Sequence, residues 1–433
     1  MRPRILSSTP AARRRIRSAG AGLAAIVVLG ATAACGGGSG SDDGRVTLRY
    51  SWWGNADRAE LMQQAIDLFE QQNPNIDVQP TFSEYEAYWQ KLATESAGGG
   101  APDVMQMDVS YLREYSDKNV LLDLASGEAA ANLNTDDFRG GLATAGEIDG
   151  QLFGVPVGGN TFTLVYNPAA FEEAGAPAPE AGWSWEQFWQ TYETFGPDAE
   201  VKAGADYTGI IWVLELQLRQ QGASLFTEEG ELGFTREQFK EYLEQGERLR
   251  QDGLAVDPQK IVEVKPISPL GSGLDASEFT WDNFLVRFAG ETDAELELAP
   301  VPTFDPANTG QYLKPSLMLS ASARTEHPAE AAKLIDFLIN DVEAGKILGA
   351  NRGLPATNAQ FEAVELEGVD AAVAAYEESV ADALQPAPPV PPAGAGSIEA
   401  LLLRVTEDLS FGEISVDEAV DQFFSEAEDI LAR

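Results

Sequence analysis

The sequence predicts an α/β fold of two lobes, and three observations carry that expectation. Strand-like alternation gives way repeatedly to helical spacing, and the strand ends carry aromatic and acidic residues. Roughly 390 residues follow a leader-like start, enough for two cores, because a single core stops growing at about 250–300 residues.

The first strand is read from Val46, Leu48 and Tyr50, which alternate with polar residues before the run Ser51-Trp52-Trp53-Gly54-Asn55. Leu61, Met62, Ala65, Ile66, Leu68 and Phe69 then recur at helical spacing. Asn73-Pro74-Asn75 stops that helix, and Ile76-Asp77-Val78 opens a second strand. The unit is β-α-β, and in open α/β sheets ligands sit beyond the carboxyl ends of the strands. The two tryptophans fall at such an end, and their flat apolar faces suit a sugar ring.

The second strand leads through residues 83–89 into a helix that Gly98-Gly99-Gly100-Ala101-Pro102 ends. Asp103-Val104-Met105-Gln106-Met107-Asp108 is a third, buried strand with a carboxylate at its tip. Residues 111–124 continue as a helix and a turn, and 148–156 form a hairpin leading to a buried strand. Helices follow over 185–194, 212–221 and 236–252. Residues 385–396, with five prolines, form a stiff connector to two terminal helices, 397–408 and 416–432.

At the start, Arg2, Arg4, Arg13, Arg14, Arg15 and Arg17 precede an apolar run at 23–29 and small residues at 30–34, the order of a signal peptide over residues 1–34. The apolar part is shorter than the roughly 20 residues a spanning helix needs. Arg13 to Arg15 also permit twin-arginine export. Thr32-Ala33-Ala34-Cys35 resembles a bacterial lipobox, with Thr32 where an aliphatic residue is usual. On that reading Cys35 is lipidated and becomes the first mature residue, and an ordinary cleavage site is the alternative. Cys35 is the only cysteine, so no internal disulfide supports the fold. Residues 36–44 are a flexible glycine-serine tether of at most about 35 Å.

The formal charge is −40, from 29 basic and 69 acidic residues, and loss of the leader makes the chain still more acidic. That excludes nucleic acid as a partner and describes a solvated surface that keeps an exported protein soluble and monomeric. No metal signature, Walker sequence or dinucleotide glycine pattern occurs, and His327, the only histidine, precedes a proline at a helix start. No metal, cofactor or catalytic residue is expected.

Several segments, in order, carry a resemblance: FEQQNPNIDV, YWQKLATESAGGGAPDVMQMD, GQLFGVPVGGNTFTLVYNPAAFEEAG, WSWEQF, GQYLKPSLMLSASARTEHPAEAAKLIDFLIN and NRGLPA. They look like the bacterial extracellular sugar-binding proteins of ABC importers, the maltose-binding type, and the likeness spans nearly all of residues 45–433. The resemblance implies a periplasmic-binding-protein-like fold with hinge-linked lobes and a ligand cleft between them. Lobe 1 would comprise 45–157 plus 310–365 and lobe 2 158–309 plus 366–433. Crossings are expected near 155–160, where Gly158-Gly159 is either a hinge or a close backbone approach, and near 299–311.

The candidate ligand residues are aromatic, amide, carboxylate or arginine side chains at strand ends and loops. One of Trp52 and Trp53 should face the cleft and the other the core. Tyr85 follows the second strand and either meets ligand or packs in the core. Asp108 either accepts sugar hydroxyls or caps the next helix. Asn160 follows the glycines and contacts ligand or shapes the turn. Trp281 and Asn283 look like the ring and amide of the second lobe, with Trp185 a further candidate among tryptophans, Trp212 included, that read as core. Tyr312 and Arg352 are loop residues of suitable type, and a salt bridge is the rival role for Arg352.

The implied function is a receptor, not an enzyme, that captures a mono- or oligosaccharide and delivers it to an ABC importer. Its partners would be permease subunits with a cytoplasmic ATPase, and the membrane through lipidated Cys35 on its outer face. The same fold serving a polyol or glycerophosphoryl ligand is one alternative. An exported carbohydrate-active hydrolase is another, although no acid pair is recognisable near the aromatics.

Overall fold

The computed structural model describes residues 45–432, so the expected leader, Cys35 and the tether lie outside the described residues. The first strand, β1 (Val46–Trp53), pairs in parallel with β2 (Ile76–Ser83) and β3 (Val104–Met107). Helices α1 (Ala56–Gln72) and α2 (Tyr85–Ala97) make the crossovers, and α3 (Val109–Asp117) follows β3. Asn55 caps α1 by accepting from Arg58 N, and Asp108 caps α3 by accepting from Ser110 N. A hairpin of β4 (Glu147–Ile148) and β5 (Gln151–Leu152) leads into β6 (Val155–Pro156) and β7 (Gly158–Tyr166). The second half of the chain adds β8 (Ser277–Trp281), β9 (Glu297–Ala299), β10 (Leu313–Pro315), β11 (Met318–Ala321) and β12 (Leu354–Pro355).

Two five-stranded sheets result. The first has the order β2-β1-β3-β11-β6, in which β11 runs antiparallel to both neighbours. Its core joins Leu48, Tyr50, Trp52, Ile66 and Phe69 to the buried face of the helix Pro328–Asn340. The second sheet is antiparallel and built entirely on β7. Helices Trp185–Phe195, Ile211–Gln220, Arg236–Gln251, Ala395–Ser410 and Val416–Leu431 pack around it through Phe188, Tyr207, Phe239 and Phe423. Three of these helices start with a reciprocal capping box, at Ser184/Gln187, Thr235/Gln238 and Ser415/Glu418. No described helix is long and apolar enough to cross a membrane.

The chain passes from the first sheet to the second between β6 and β7. It returns at Ser316-Leu317, between β10 and β11. That return lies later than the expected 299–311 because Leu313–Pro315 first pairs with β7, Lys314 opposite Asn160. A third passage, after β11, brings the chain back to the second sheet at β12, which pairs with Gly158 and Gly159. Both glycines are crowded as well as central. A Cβ on Gly158 would lie 2.7 Å from Leu354 O, and one on Gly159 2.8 Å from Leu313 Cγ.

Every residue of β7 is buried, and its partners change midway. Residues up to Thr161 pair with β10 and β12, and those from Phe162 pair with β8 and β9. At that joint side chains replace the missing strand. Thr161 N donates to Asp282 Oδ2 at 2.6 Å, while Phe162 O accepts from Gln311 Nε2 at 2.7 Å and Tyr376 Oη at 2.9 Å. The Asp282 carboxyl is held well above its ordinary range by burial and by the neighbouring Glu377. Glu377 in turn is paired with Arg139 at 2.7 Å, so the joint is tied to the loop before β4.

Two predictions follow from buried acids. Asp282→Ala strands the Thr161 N–H and lowers stability by roughly 2–4 kcal/mol, whereas Asp282→Asn, which keeps an acceptor and resembles the protonated acid, loses far less. Urea unfolding of both variants decides this, and equal losses would refute the role given to the carboxyl oxygen. Glu278, on β8 beside Asp275, Arg287 and Glu291, is pushed from 4.5 up to about 7, chiefly by burial. Between those values the folded chain keeps a proton that the unfolded chain has released, so this carboxyl weakens folding as pH rises from about 4.5 to 7. Glu278→Gln, which can still accept from Leu270 N, should therefore show a flatter melting temperature across that window than the parent protein. Identical slopes would rule the assignment out.

Candidate functional site

Cross-strand partners in an antiparallel pair point to the same face, as do residues two apart on one strand. The pairs Asn160 with Lys314 and Phe162 with Trp281 therefore put all four side chains on one face of the second sheet. Thr161 and Leu313 take the other. Two cavities open along the first face, and both are walled by loops at the carboxyl ends of the first sheet's parallel strands.

The larger cavity, about 650 Å³, lies between Trp53 and Arg58 on one side and Asn283 on the other, with Asn160, Ser316 and residues 349–354 closing it. Asn160 is only 7% exposed, yet its side-chain amide forms no hydrogen bond among the described residues. An amide held this way, with a donor and an acceptor free, is a waiting partner for hydroxyl groups. Arg58 pins the loop: Nε donates to Asn351 Oδ1 at 2.8 Å and Nη2 to Asn351 O at 2.7 Å. Arg352 is buried, donates to Leu338 O at 3.1 Å and forms no salt bridge. Burial lowers its pKa to about 10, with Tyr50 opposing that shift and Arg58 adding to it.

The smaller cavity, about 250 Å³, has Val109 and Ser110 of α3 on one wall and Trp212, Glu215 and Arg219 on the opposite one, with Tyr312, Lys314 and Glu399 between. Trp212 meets Trp281 edge to face at 5.4 Å, and the Lys314 ammonium lies 5.1 Å from both ring centres without a carboxylate in ion-pair range. Tyr312 Oη donates to Glu215 Oε2 at 2.7 Å, and Arg219 lies over the Tyr312 ring at 4.8 Å. Burial raises the Glu215 pKa, against the pull of Tyr312, Arg219 and Lys314. Burial likewise raises Glu399, which Lys314 opposes and Asp108 reinforces.

The expected residues divide clearly. Trp53, Asn160, Asn283 and Arg352 gather around the larger cavity and Tyr312 in the smaller. Trp281 backs Trp212 and Lys314. Tyr85, 43% exposed, meets Trp53 edge to face at 5.4 Å, and its hydroxyl is pushed up to about 12, first by burial and then by Asp108. Asp108 does cap α3, through Ser110 N at 2.9 Å. Trp52 and Trp185 face away from the cleft. Strand alternation turns Trp52 into the first core, against Tyr50 and Phe82, and Trp185 lies in the second core with Nε1 donating to Gln220. Trp212, Lys314, Glu215, Arg219, Glu399 and Arg58 were not expected. Trp212 looked like core because its helix is apolar on several sides, and Lys314 sits in a three-residue strand too short to show a pattern.

Compared with known proteins, residues 54–344 match the family model described as bacterial extracellular solute-binding protein. The chain belongs to this family. It is 28% identical over 342 residues to an uncharacterized lipoprotein encoded in the oleD 5′ region of Streptomyces antibioticus, covering 73% of this chain and 72% of that one. Among solved structures it resembles an extracellular solute-binding protein of family 1 from Alicyclobacillus acidocaldarius subsp. acidocaldarius DSM 446. That match has 30% identity and a TM-score of 0.73, and covers 90% of this chain and 99% of the other. A periplasmic oligogalacturonide-binding protein from Yersinia enterocolitica superposes with a TM-score of 0.77 at 21% identity, over 90% and 99% of the two chains, which speaks for the fold alone. The expected two-lobed α/β architecture and the family resemblance are thus borne out.

Proposed function

We propose that this solute-binding protein captures a mono- or oligosaccharide in the cleft described above and hands it to the permease of an ABC importer. The observation that carries the reading is Trp212 in the wall of the smaller cavity, backed by Trp281, with the Lys314 ammonium 5.1 Å from both ring centres and Glu215 and Glu399 in the same wall. Flat rings accept the C–H faces of a sugar, and the surrounding carboxylates, amides and ammonium accept and donate to its hydroxyls. The ligand of the Yersinia neighbour, a sugar oligomer by its name, agrees with this class.

The mechanism is closure without chemistry. A ligand held by residues of both lobes stabilises the closed arrangement by the difference in its affinity for the two states, and the importer reads that arrangement. In this proposal the chain is exported as a monomer and stays on the outer face of the cell membrane through a lipid on Cys35. The lipoprotein relative supports the anchor.

The test is a thermal-shift and calorimetric screen of mono- and oligosaccharides, polyols and glycerophosphodiesters, with the bound compound recovered and analysed. One sugar class should raise the melting temperature and return unchanged, and Trp212→Ala should weaken it by roughly 10- to 100-fold. A shift with a phosphodiester alone would replace the ligand, and recovery of a cleaved sugar would replace the receptor with a hydrolase.

A further inference from the structure

We infer that the smaller cavity takes an apolar substituent of the ligand, so that the solute is a glycoside carrying an aryl or short alkyl group rather than a free sugar; this rests on the sugar reading above. The polar groups of that cavity gather near Lys314, Glu215 and Glu399. The rest of its wall is mostly apolar, with Leu225, Phe226 and the connector prolines Pro388, Pro389, Pro391 and Pro392 its largest continuous part and Ser110, Ser224 and Thr227 its remaining hydroxyls. Proline has no N–H, so this stretch of backbone offers acceptors but hardly a donor.

Most polar side chains that border the apolar part are already engaged, and the Ser110 and Ser224 hydroxyls are the small polar groups left there. Arg219 donates through Nε to Gly310 O at 2.7 Å and through Nη2 to Pro386 O at 2.8 Å. Glu215 holds Tyr312, and the Thr227 hydroxyl accepts from Glu231 N at 3.3 Å. A sugar ring pushed among these residues would leave hydroxyls without partners, at a cost that apolar contact does not recover. A phenyl ring or short alkyl chain meets no such cost, and about 250 Å³ has room for one beside the ring of the sugar.

The wall is also fixed in place. Gln385 N donates to Gln311 O at 2.8 Å and Gln385 Nε2 to Asn308 Oδ1 at 2.6 Å, which holds one end of the connector. Further along, Val390 is buried in the aromatic cluster of Tyr88, Trp89 and Tyr115, and Arg113 Nη2 donates to its carbonyl at 3.5 Å. The slot is a built surface rather than the underside of a loose loop.

The experiment is calorimetric titration of the purified protein with matched methyl and phenyl glycosides of common hexoses and disaccharides, beside the free sugars. The phenyl compound of the recognised sugar should bind at least about tenfold tighter than its methyl counterpart. Phe226→Ser and, as a second variant at a half-buried position of the connector, Pro391→Asn should each bring the phenyl-to-methyl ratio back toward one. Sugars that bind while phenyl gives no gain would overturn the slot and leave the receptor reading intact. A phenyl gain that survives both variants would also overturn it. Binding of no sugar and no glycoside would remove both readings together.

Discussion

A nine-residue strand buried on all sides has to satisfy every backbone polar group it carries, and in this protein that requirement falls on Gly158–Tyr166. The strand serves both lobes, so no single neighbour can accompany it along its length. Where one set of partners ends and the next begins, a protonated Asp282, Gln311 and Tyr376 supply the missing bonds. Glu377 and Arg139 extend that polar joint to the far lobe. Isolated buried charge is costly, and an Asp282 carboxyl pushed toward its neutral form, with one well-placed guanidinium against Glu377, lowers the charge of the joint. The arrangement of the cleft follows from this strand, because its register decides that Asn160, Lys314 and Trp281 look the same way.

The cleft itself is a place where a chain of net charge −40 has collected both signs. Lys314 faces the acids Glu215 and Glu399, and neither is within ion-pair distance. The ammonium is held instead by two tryptophan faces. Such a group is oriented without being spent on a salt bridge, which leaves its donors available to a ligand. Arg58, by contrast, is committed to backbone and amide oxygens and acts as a rivet of the loop before β12, whereas Arg352 bonds only Leu338 O and keeps a buried Nη1 without a partner.

Local pattern revealed the scaffold well. Alternation gave β1 to β3, helical spacing gave the helices that surround β7, and Asn73-Pro74-Asn75 and Gly98 to Pro102 gave the stops. Those signals are made by neighbours in sequence, and one chain contains them. The site is different. Trp53, Asn160, Asn283 and Tyr312 could be named because tryptophans, amides and tyrosines at strand ends are conspicuous. Which of Trp52 and Trp53 turns outward depends on the sheet's burial side, which only pairing with β2 and β3 decides. Trp212 packs against the second core and also lines the smaller cavity, and nothing local says which residue of a helix buried on several faces reaches the rim. Glu399 reaches the site from a helix well beyond Lys314 in the chain, and no spacing rule links it to Lys314 or Asp108. The second return between lobes was placed early for a similar reason, since the pairing of Leu313–Pro315 with Gly159–Thr161 is a long-range fact.

Val390 has a consequence beyond the wall it belongs to. It sits at the middle of the proline-rich connector, whose chain continues into the helices of the second lobe, yet its side chain is buried among aromatic residues of the first. Rotating the lobes apart would either drag the connector along or pull a valine out into water, which costs about 1.5–3 kcal/mol. The balance between open and closed populations is therefore weighted by a residue remote from the tryptophan corner. Since apparent affinity scales with the fraction of molecules in the binding-competent state, selection acting on this one hydrophobic peg can tune how tightly a receptor holds its solute while leaving its choice of solute alone.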